Sequence, residues 1–168
     1  MLALKKQVAY NLVTMIAILN NIRSLHNVGS IFRTADGVGV DKLYLCGFTP
    51  SPLDQFDRAR PQLAKVALGA EKMVSWEKCG QTSRLITRLK KEGYSIIALE
   101  INKESVPYYK IKKIKKKTAL VVGHEVKGLP KSVLNKCDKI VEIPMKGDKT
   151  SLNVSVAFGV VAFALQQK

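Results

Sequence analysis

The sequence is poor in cysteine and in acidic residues, and it has no long apolar run. Its three cysteines, Cys46, Cys79 and Cys137, are odd in number and far apart. No zinc-binding spacing can be built from them, and they fit reduced, buried thiols of a cytosolic protein. No stretch reaches the roughly 18 consecutive apolar residues of a membrane span. Lys5 and Lys6 lie near the start, but the apolar run at residues 13–19 is broken by Thr14 and has no cleavage-like end, so no signal peptide is read. Internal repeats and flexible linkers are missing too. A glycine pair at Gly37 and Gly39 lacks the third glycine of a dinucleotide fingerprint. It precedes a strand instead of opening a helix, which argues against a nucleotide-cofactor oxidoreductase. The 13 acidic residues face 28 lysines and arginines, a net charge of +15. Such an excess points to a polyanionic partner, nucleic acid or an anionic membrane, and charge alone does not choose between them.

What is present is a globular pattern. The 168 residues are 46% hydrophobic, enough for one domain with a sizeable core, spanning 1–168 with a short N-terminal extension at 1–14. Apolar strands are expected at 15–19, 42–46, 95–99, 118–123 and 139–143. Helices are expected at 27–37, 62–68, 81–91, 132–135 and 152–165. Near-continuous apolar strands alternating with helices indicate an α/β fold, a mostly parallel sheet with helices on both faces.

Three constellations carry chemistry. The first is the helix Asn27-Val28-Gly29-Ser30-Ile31-Phe32-Arg33-Thr34-Ala35-Asp36-Gly37. Val28, Ile31, Phe32, Ala35 and Val38 share a core face. Arg33 points the other way, with Gly29 and Gly37 beside it. Glycine inside a helix costs about 0.5–1 kcal/mol relative to alanine, so two of them suggest that something approaches closely. An ion pair between Arg33 and Asp36 would account for the arginine but not for the glycines. The second is Gly123-His124-Glu125-Val126-Lys127-Gly128-Leu129. It leaves Glu125 at a strand's C-terminal edge, with glycines that admit a ligand close to the backbone. Adjacent His124 and Glu125 make a poor metal pair, and no third ligand is evident. The third is Ile143-Pro144-Met145, where a strand stops, followed by Thr150-Ser151-Leu152-Asn153-Val154-Ser155. Here Thr150 or Ser151 is expected to cap the last helix, placing Ser151 and Asn153 at its positive end.

Two further segments stand out. Residues 110–117 hold six lysines, with Tyr108 and Tyr109 just before them. They read either as a solvated loop or edge strand or as a phosphate-contacting patch with Lys112, Lys113, Lys115 and Lys116 and stacking tyrosines. The terminal helix is apolar around nearly its whole circumference and must be buried all round, against the sheet and a second subunit or deep within one.

Taken together, the three motifs resemble the SpoU/TrmH family of RNA ribose methyltransferases in the SPOUT superfamily, over the chain from about Ile18 onward. The resemblance implies an S-adenosylmethionine-dependent 2′-O-methyltransferase acting on tRNA or rRNA, with no metal. It also implies a C-terminal trefoil knot, which is otherwise nearly absent from proteins, and an obligate homodimer. By resemblance, Leu99, Gly123, Ile143, Met145, Ser151 and Leu152 bind the cofactor. Arg33 is the catalytic arginine and an RNA contact, and Asn27, Glu125, Ser151 and Asn153 support it. His124 stands where the family often has a small polar or amide residue. A non-catalytic RNA-binding protein of the same fold is the alternative.

Overall fold

The computed structural model describes residues 14–112 and 114–167. Lys113 and nearly all of the 1–14 extension therefore lie outside the described residues. Among the described residues seven strands form one sheet: β1 (Thr14–Asn20), β2 (Lys42–Cys46), β3 (Ser75–Cys79), β4 (Ser95–Leu99), β5 (Val106–Pro107), β6 (Lys117–Val122) and β7 (Lys139–Glu142). Their order is β3-β2-β1-β6-β4-β7-β5, and every neighbouring pair is parallel. The helices are α1 (Leu25–Val38), α2 (Pro61–Ala67), α3 (Ala70–Met73), α4 (Thr82–Lys91), α5 (Lys131–Leu134) and α6 (Val154–Gln166).

Strand β1 shows why the apolar runs are continuous. Met15, Ala17 and Leu19 pack on one face with Val28 and Phe32 of α1 and Phe158 and Val161 of α6. Ile16 and Ile18 pack on the other with Leu85, Ile86 and Leu89 of α4 and Val133 of α5. Side chains alternate across a strand, so a strand covered by helices on both sides must be apolar at every position. The expected α/β layering is therefore present.

Several expectations change. Strand β3 was not anticipated; its Ser75-Trp76-Glu77-Lys78-Cys79 lies at the sheet edge and is only partly buried. Of the three cysteines only Cys46 is fully buried, and all are free thiols. Burial pushes the Cys46 and Cys137 thiols up to about 12. Of the loop and the edge strand expected for the lysine-rich segment, its described residues up to Lys116 form the loop, and Lys117 opens β6 inside the sheet. The loop follows a 3-10 turn at Tyr108–Lys110 and is anchored by buried Ile111, while Lys112, Lys115 and Lys116 are exposed. Helix α6 is not buried all round within one chain: Phe158, Val161, Ala162 and Leu165 are buried, whereas Val156 (52%), Val160 (37%) and Phe163 (46%) remain exposed.

The glycines of α1 serve packing. Gly29 is buried, and a Cβ built on it would come within 2.7 Å of the Leu63 carbonyl oxygen in α2. What approaches closely there is a neighbouring helix, so this side of Arg33 is not held clear for a ligand. Gly37 differs: its Cβ would sit 3.8 Å from the Phe163 ring, an ordinary contact. Gly29→Ala is therefore expected to destabilise the fold by about 1–3 kcal/mol through overpacking. Gly37→Ala should be neutral or stabilising by up to about 1 kcal/mol. Urea unfolding of both variants checks the contrast; equal effects would contradict it.

Candidate active site

The sheet changes direction between β1 and β6. From β1 the chain builds outward to β2 and β3; beyond β6 lie β4, β7 and β5. The crevice beyond the C-terminal ends of strands at such a reversal is where open parallel sheets bind ligands. The loop after β1 and the loop after β6 both emerge here, and the Glu125 carboxylate ties them together. Its Oε2 accepts from Arg23 N at 3.0 Å, and its Oε1 accepts from Ser24 N at 3.0 Å and from Asn27 Nδ2 at 2.9 Å.

The third motif joins through asparagine. Asn153 Nδ2 donates to Asn27 Oδ1 at 3.0 Å, while Asn153 Oδ1 accepts from Ser155 N at 2.9 Å and from Ser155 Oγ at 2.7 Å. Asn153 is thus the N-cap of α6, and the expected cap at Thr150 or Ser151 is corrected. An amide side chain offers donors and an acceptor at once. Asn153 can therefore cap its helix and reach Asn27, which a hydroxyl at Ser151 could not do from two residues upstream. Glu125, Asn27, Asn153 and Ser155 form one continuous hydrogen-bonded chain across the three motifs.

Beside this chain lies a cavity of about 360 Å³, within the range of small-molecule sites. Leu99, Gly123, Ile143, Ser151 and Leu152 line it, together with Glu125, Val122, Val154 and Ala157. Met145 is half-buried and stands outside its wall. Gly123 is needed by the chain itself: a Cβ there would meet the Gly128 carbonyl carbon at 2.7 Å and Leu129 N at 2.8 Å. The room left by its missing side chain is taken by the crossing backbone of the same loop, while Gly123 itself lines the cavity. His124 is structurally engaged, its Nδ1 accepting from Val126 N at 3.0 Å and its ring edge-on to Phe48 at 5.9 Å.

Two residues depart from the sequence reading. Glu100 lines the cavity and was not anticipated. Its carboxylate accepts from Ile101 N at 2.9 Å and from Leu129 N at 2.6 Å, holding the 123–129 loop to the end of β4. A lone glutamate after a strand has no motif to reveal it. Arg33 is exposed and joins neither the cavity nor the hydrogen-bonded chain. It lies six residues along α1 from Asn27, about 9 Å of helix rise. The Arg33–Asp36 ion pair does not form, and Arg33 has no hydrogen-bond or ion-pair partner among the described residues.

Burial by itself pushes the Glu125 carboxyl up, but the N–H groups of Arg23, Ser24 and Asn27 outweigh it and hold the group down at about 2. A carboxyl with a depressed pKa stabilises the fold above its ordinary value near 4.5 and loses that contribution as pH falls toward 2. Glu125→Gln is expected to lower the melting temperature by a few degrees at neutral pH. The gap from the wild-type protein should close as pH falls from about 4.5 toward 2. Calorimetric melts across that range check this; a gap that is constant with pH would contradict it.

Comparison with known proteins places the chain in a family. Residues 14–163 match the model of the SpoU rRNA Methylase family. The chain is 33% identical over 158 residues to a tRNA (guanosine(18)-2'-O)-methyltransferase of Aquifex aeolicus, covering 92% of this chain and 69% of that protein. It is 31% identical over 156 residues to a 23S rRNA (guanosine-2'-O-)-methyltransferase of Coxiella burnetii, covering 92% of this chain and 58% of that protein. Among solved structures, the A. aeolicus TrmH/SpoU tRNA modifying enzyme superposes with a TM-score of 0.79 at 32% identity, over 92% of this chain and 75% of that one. The motifs, the parallel sheet and the family match agree: the chain belongs to the SpoU rRNA methylase family.

Proposed function

We propose that this chain is an S-adenosylmethionine-dependent methyltransferase that modifies a ribose 2′-hydroxyl in tRNA or rRNA. The observation that carries the reading is the hydrogen-bonded chain from Glu125 through Asn27 to Asn153, which joins all three motifs at the wall of the cavity. The cavity suits the cofactor: Leu99, Ile143 and Leu152 give an apolar wall, and the carboxylates of Glu100 and Glu125 face a cationic ligand. When bound, S-adenosylmethionine supplies an electrophilic methyl group. Leu99, Gly123, Ile143, Ser151 and Leu152 would hold it. Ile143-Pro144-Met145 and the 123–129 loop fit the family's knot, with β7 inserted between β4 and β5.

Each residue then has a physical task. Glu125, with three donors on its carboxylate, positions Asn27 and the β1–α1 loop. Asn27 and Asn153 orient the target ribose, and Ser151 adds a hydroxyl in the cavity wall. A ribose hydroxyl must lose its proton as it attacks, and it must be held in line. Arginine is a poor base, so Arg33 is assigned to an RNA phosphate and to the developing alkoxide.

The same reading includes a homodimer. Val156, Val160 and Phe163 leave an apolar stripe open on α6, and α1 borders it where Gly37 faces the Phe163 ring. Arg33 lies one turn before Gly37 on α1 and does not line its own cavity, which supports a site completed across the interface. The exposed lysines at 112, 115 and 116 supply RNA contacts, and Lys113 is assigned with them. A cytoplasmic location follows from the substrate class; no helix among the described residues is long and apolar enough to cross a membrane.

Arg33→Ala is expected to bind S-adenosylmethionine like wild type and to lose methyl transfer about 100-fold or more. Arg33→Lys should restore little, because an ammonium lacks the planar fork. Radiolabelled transfer to cellular tRNA and rRNA, with calorimetric cofactor titration in parallel, checks both. Cofactor binding without transfer by the wild-type protein would leave the non-catalytic alternative.

Val160→Asp should fold yet sediment as a monomer, because it places an unpaired charge in a buried interface. A wild-type monomer at micromolar concentration would contradict the dimer.

A further inference from the structure

A second cavity, of about 530 Å³, opens beside the first on the far side of the β1–α1 loop. Arg23, Phe48, Arg60 and Lys78 line it. Neither the Arg23 nor the Arg60 guanidinium has an acceptor among the described residues, and Arg60 Nε is fully buried without one. A buried charged donor without an acceptor is costly, and Arg60 Nε is one; with the exposed, unpaired Arg23 guanidinium in the same wall, the cavity calls for an anion. Asp54 also lines the wall, but its carboxylate is already engaged by Arg58 at 2.8 Å and by the backbone N–H groups of Phe56 and Arg58. Phe48 is 57% exposed, which is unusual for a phenylalanine beside a basic cavity.

The wall is rigid. Thr49 Oγ1 accepts from Ile22 N at 3.0 Å and donates to the Leu19 carbonyl at 2.9 Å. Phe48 N donates to Asn21 Oδ1 at 3.2 Å. Lys78 Nζ donates to the carbonyls of Gly47 at 3.0 Å and Thr49 at 2.5 Å. The cavity is also tied to the first. Arg23 contributes its backbone N–H to Glu125 at 3.0 Å and its side chain to the second cavity, and Phe48 packs against His124, the neighbour of Glu125.

We propose that this second cavity is a nucleotide subsite for the substrate RNA, flanking the nucleotide whose ribose is methylated. Arg23 and Arg60 take a backbone phosphate, and Phe48 stacks on a base. Cations contact phosphates and aromatic side chains stack on unpaired bases without regard to base identity, so the subsite fixes register more than sequence. The proposal rests on the methyltransferase reading, but its test does not require catalysis.

The probe is a fluorescein-labelled single-stranded RNA of mixed sequence, followed by anisotropy across a salt series. Arg23→Gln/Arg60→Gln is expected to weaken binding about tenfold or more and to lower the salt slope by about 1. Phe48→Ala should weaken binding about tenfold with the slope unchanged, and Phe48→Tyr should restore it. Circular dichroism confirms the fold of each variant, and S-adenosylmethionine titration should match wild type in all of them. RNA affinity and slope unchanged in the double variant would overturn the proposal, as would a wild-type protein that does not bind the RNA. Competition by poly-L-glutamate as strong as that by unlabelled RNA, with no effect of Phe48→Ala, would overturn it in favour of an acidic protein partner. RNA losses as expected in a protein that transfers no methyl group would sink the catalytic reading and keep the subsite.

Discussion

One carboxylate holds the site together. Glu125 takes two hydrogen bonds from the loop that opens α1 and a third from Asn27 in its first turn, although Glu125 itself belongs to the loop after β6. Parallel strands leave their C-terminal loops side by side but give them no ladder of their own. Something must bridge the loops at the reversal of strand order, and here it is an ionised side chain placed against backbone N–H groups at the start of a helix. Such charge-assisted hydrogen bonds are about twice as strong as neutral ones. Removing Glu125 would leave the donors of Arg23 and Ser24 to water and the Asn27 amide without its fixed orientation.

Asn153 extends the bridge to the third motif. It ends one network and begins another: its amide nitrogen reaches Asn27 while its oxygen caps α6. The geometry of the polar site and the placement of the terminal helix are therefore one constraint. Because the buried side of α6 packs on α1 and the sheet, the cavity wall, the helix cap and the exposed apolar stripe all answer to the same few side chains. This sharing explains why polar residues far apart in sequence work as one unit.

Much of this was legible in the sequence, for identifiable reasons. Strands β1, β2, β4 and β6 lie inside the sheet, so both their faces are apolar and their signal is strong. Strand β3 lies at the edge, and Ser75-Trp76-Glu77-Lys78-Cys79 carries too little apolar character to be read. The three motifs could be located because glycines, proline and polar residues interrupt apolar runs. Which residue served which purpose was less legible. Gly29 signalled a close approach correctly, but spacing along one helix cannot say whether a ligand or α2 makes it. Gly123 is a second case: its missing side chain admits the backbone of residues 128 and 129, and it lines the cavity as well. The cap fell on Asn153 and not on a hydroxyl because its second hydrogen bond is made to a residue 126 positions away. Glu100 left no trace, since its partners are backbone N–H groups that no side-chain pattern reports.

The place of β1 has a consequence for how the chain is made. Thr14 pairs with Lys117 and Leu19 with Val122, so the first strand among the described residues is flanked by one that emerges from the ribosome much later. Until then β1 can pair only with β2, and its other edge, Met15 to Leu19, stays bare and wholly apolar. Non-local parallel pairing is slow, and an unpaired apolar edge invites association with other chains. During synthesis this protein is therefore most vulnerable to aggregation in the interval between the completion of β2 and the arrival of β6, the interval in which a chaperone would hold it.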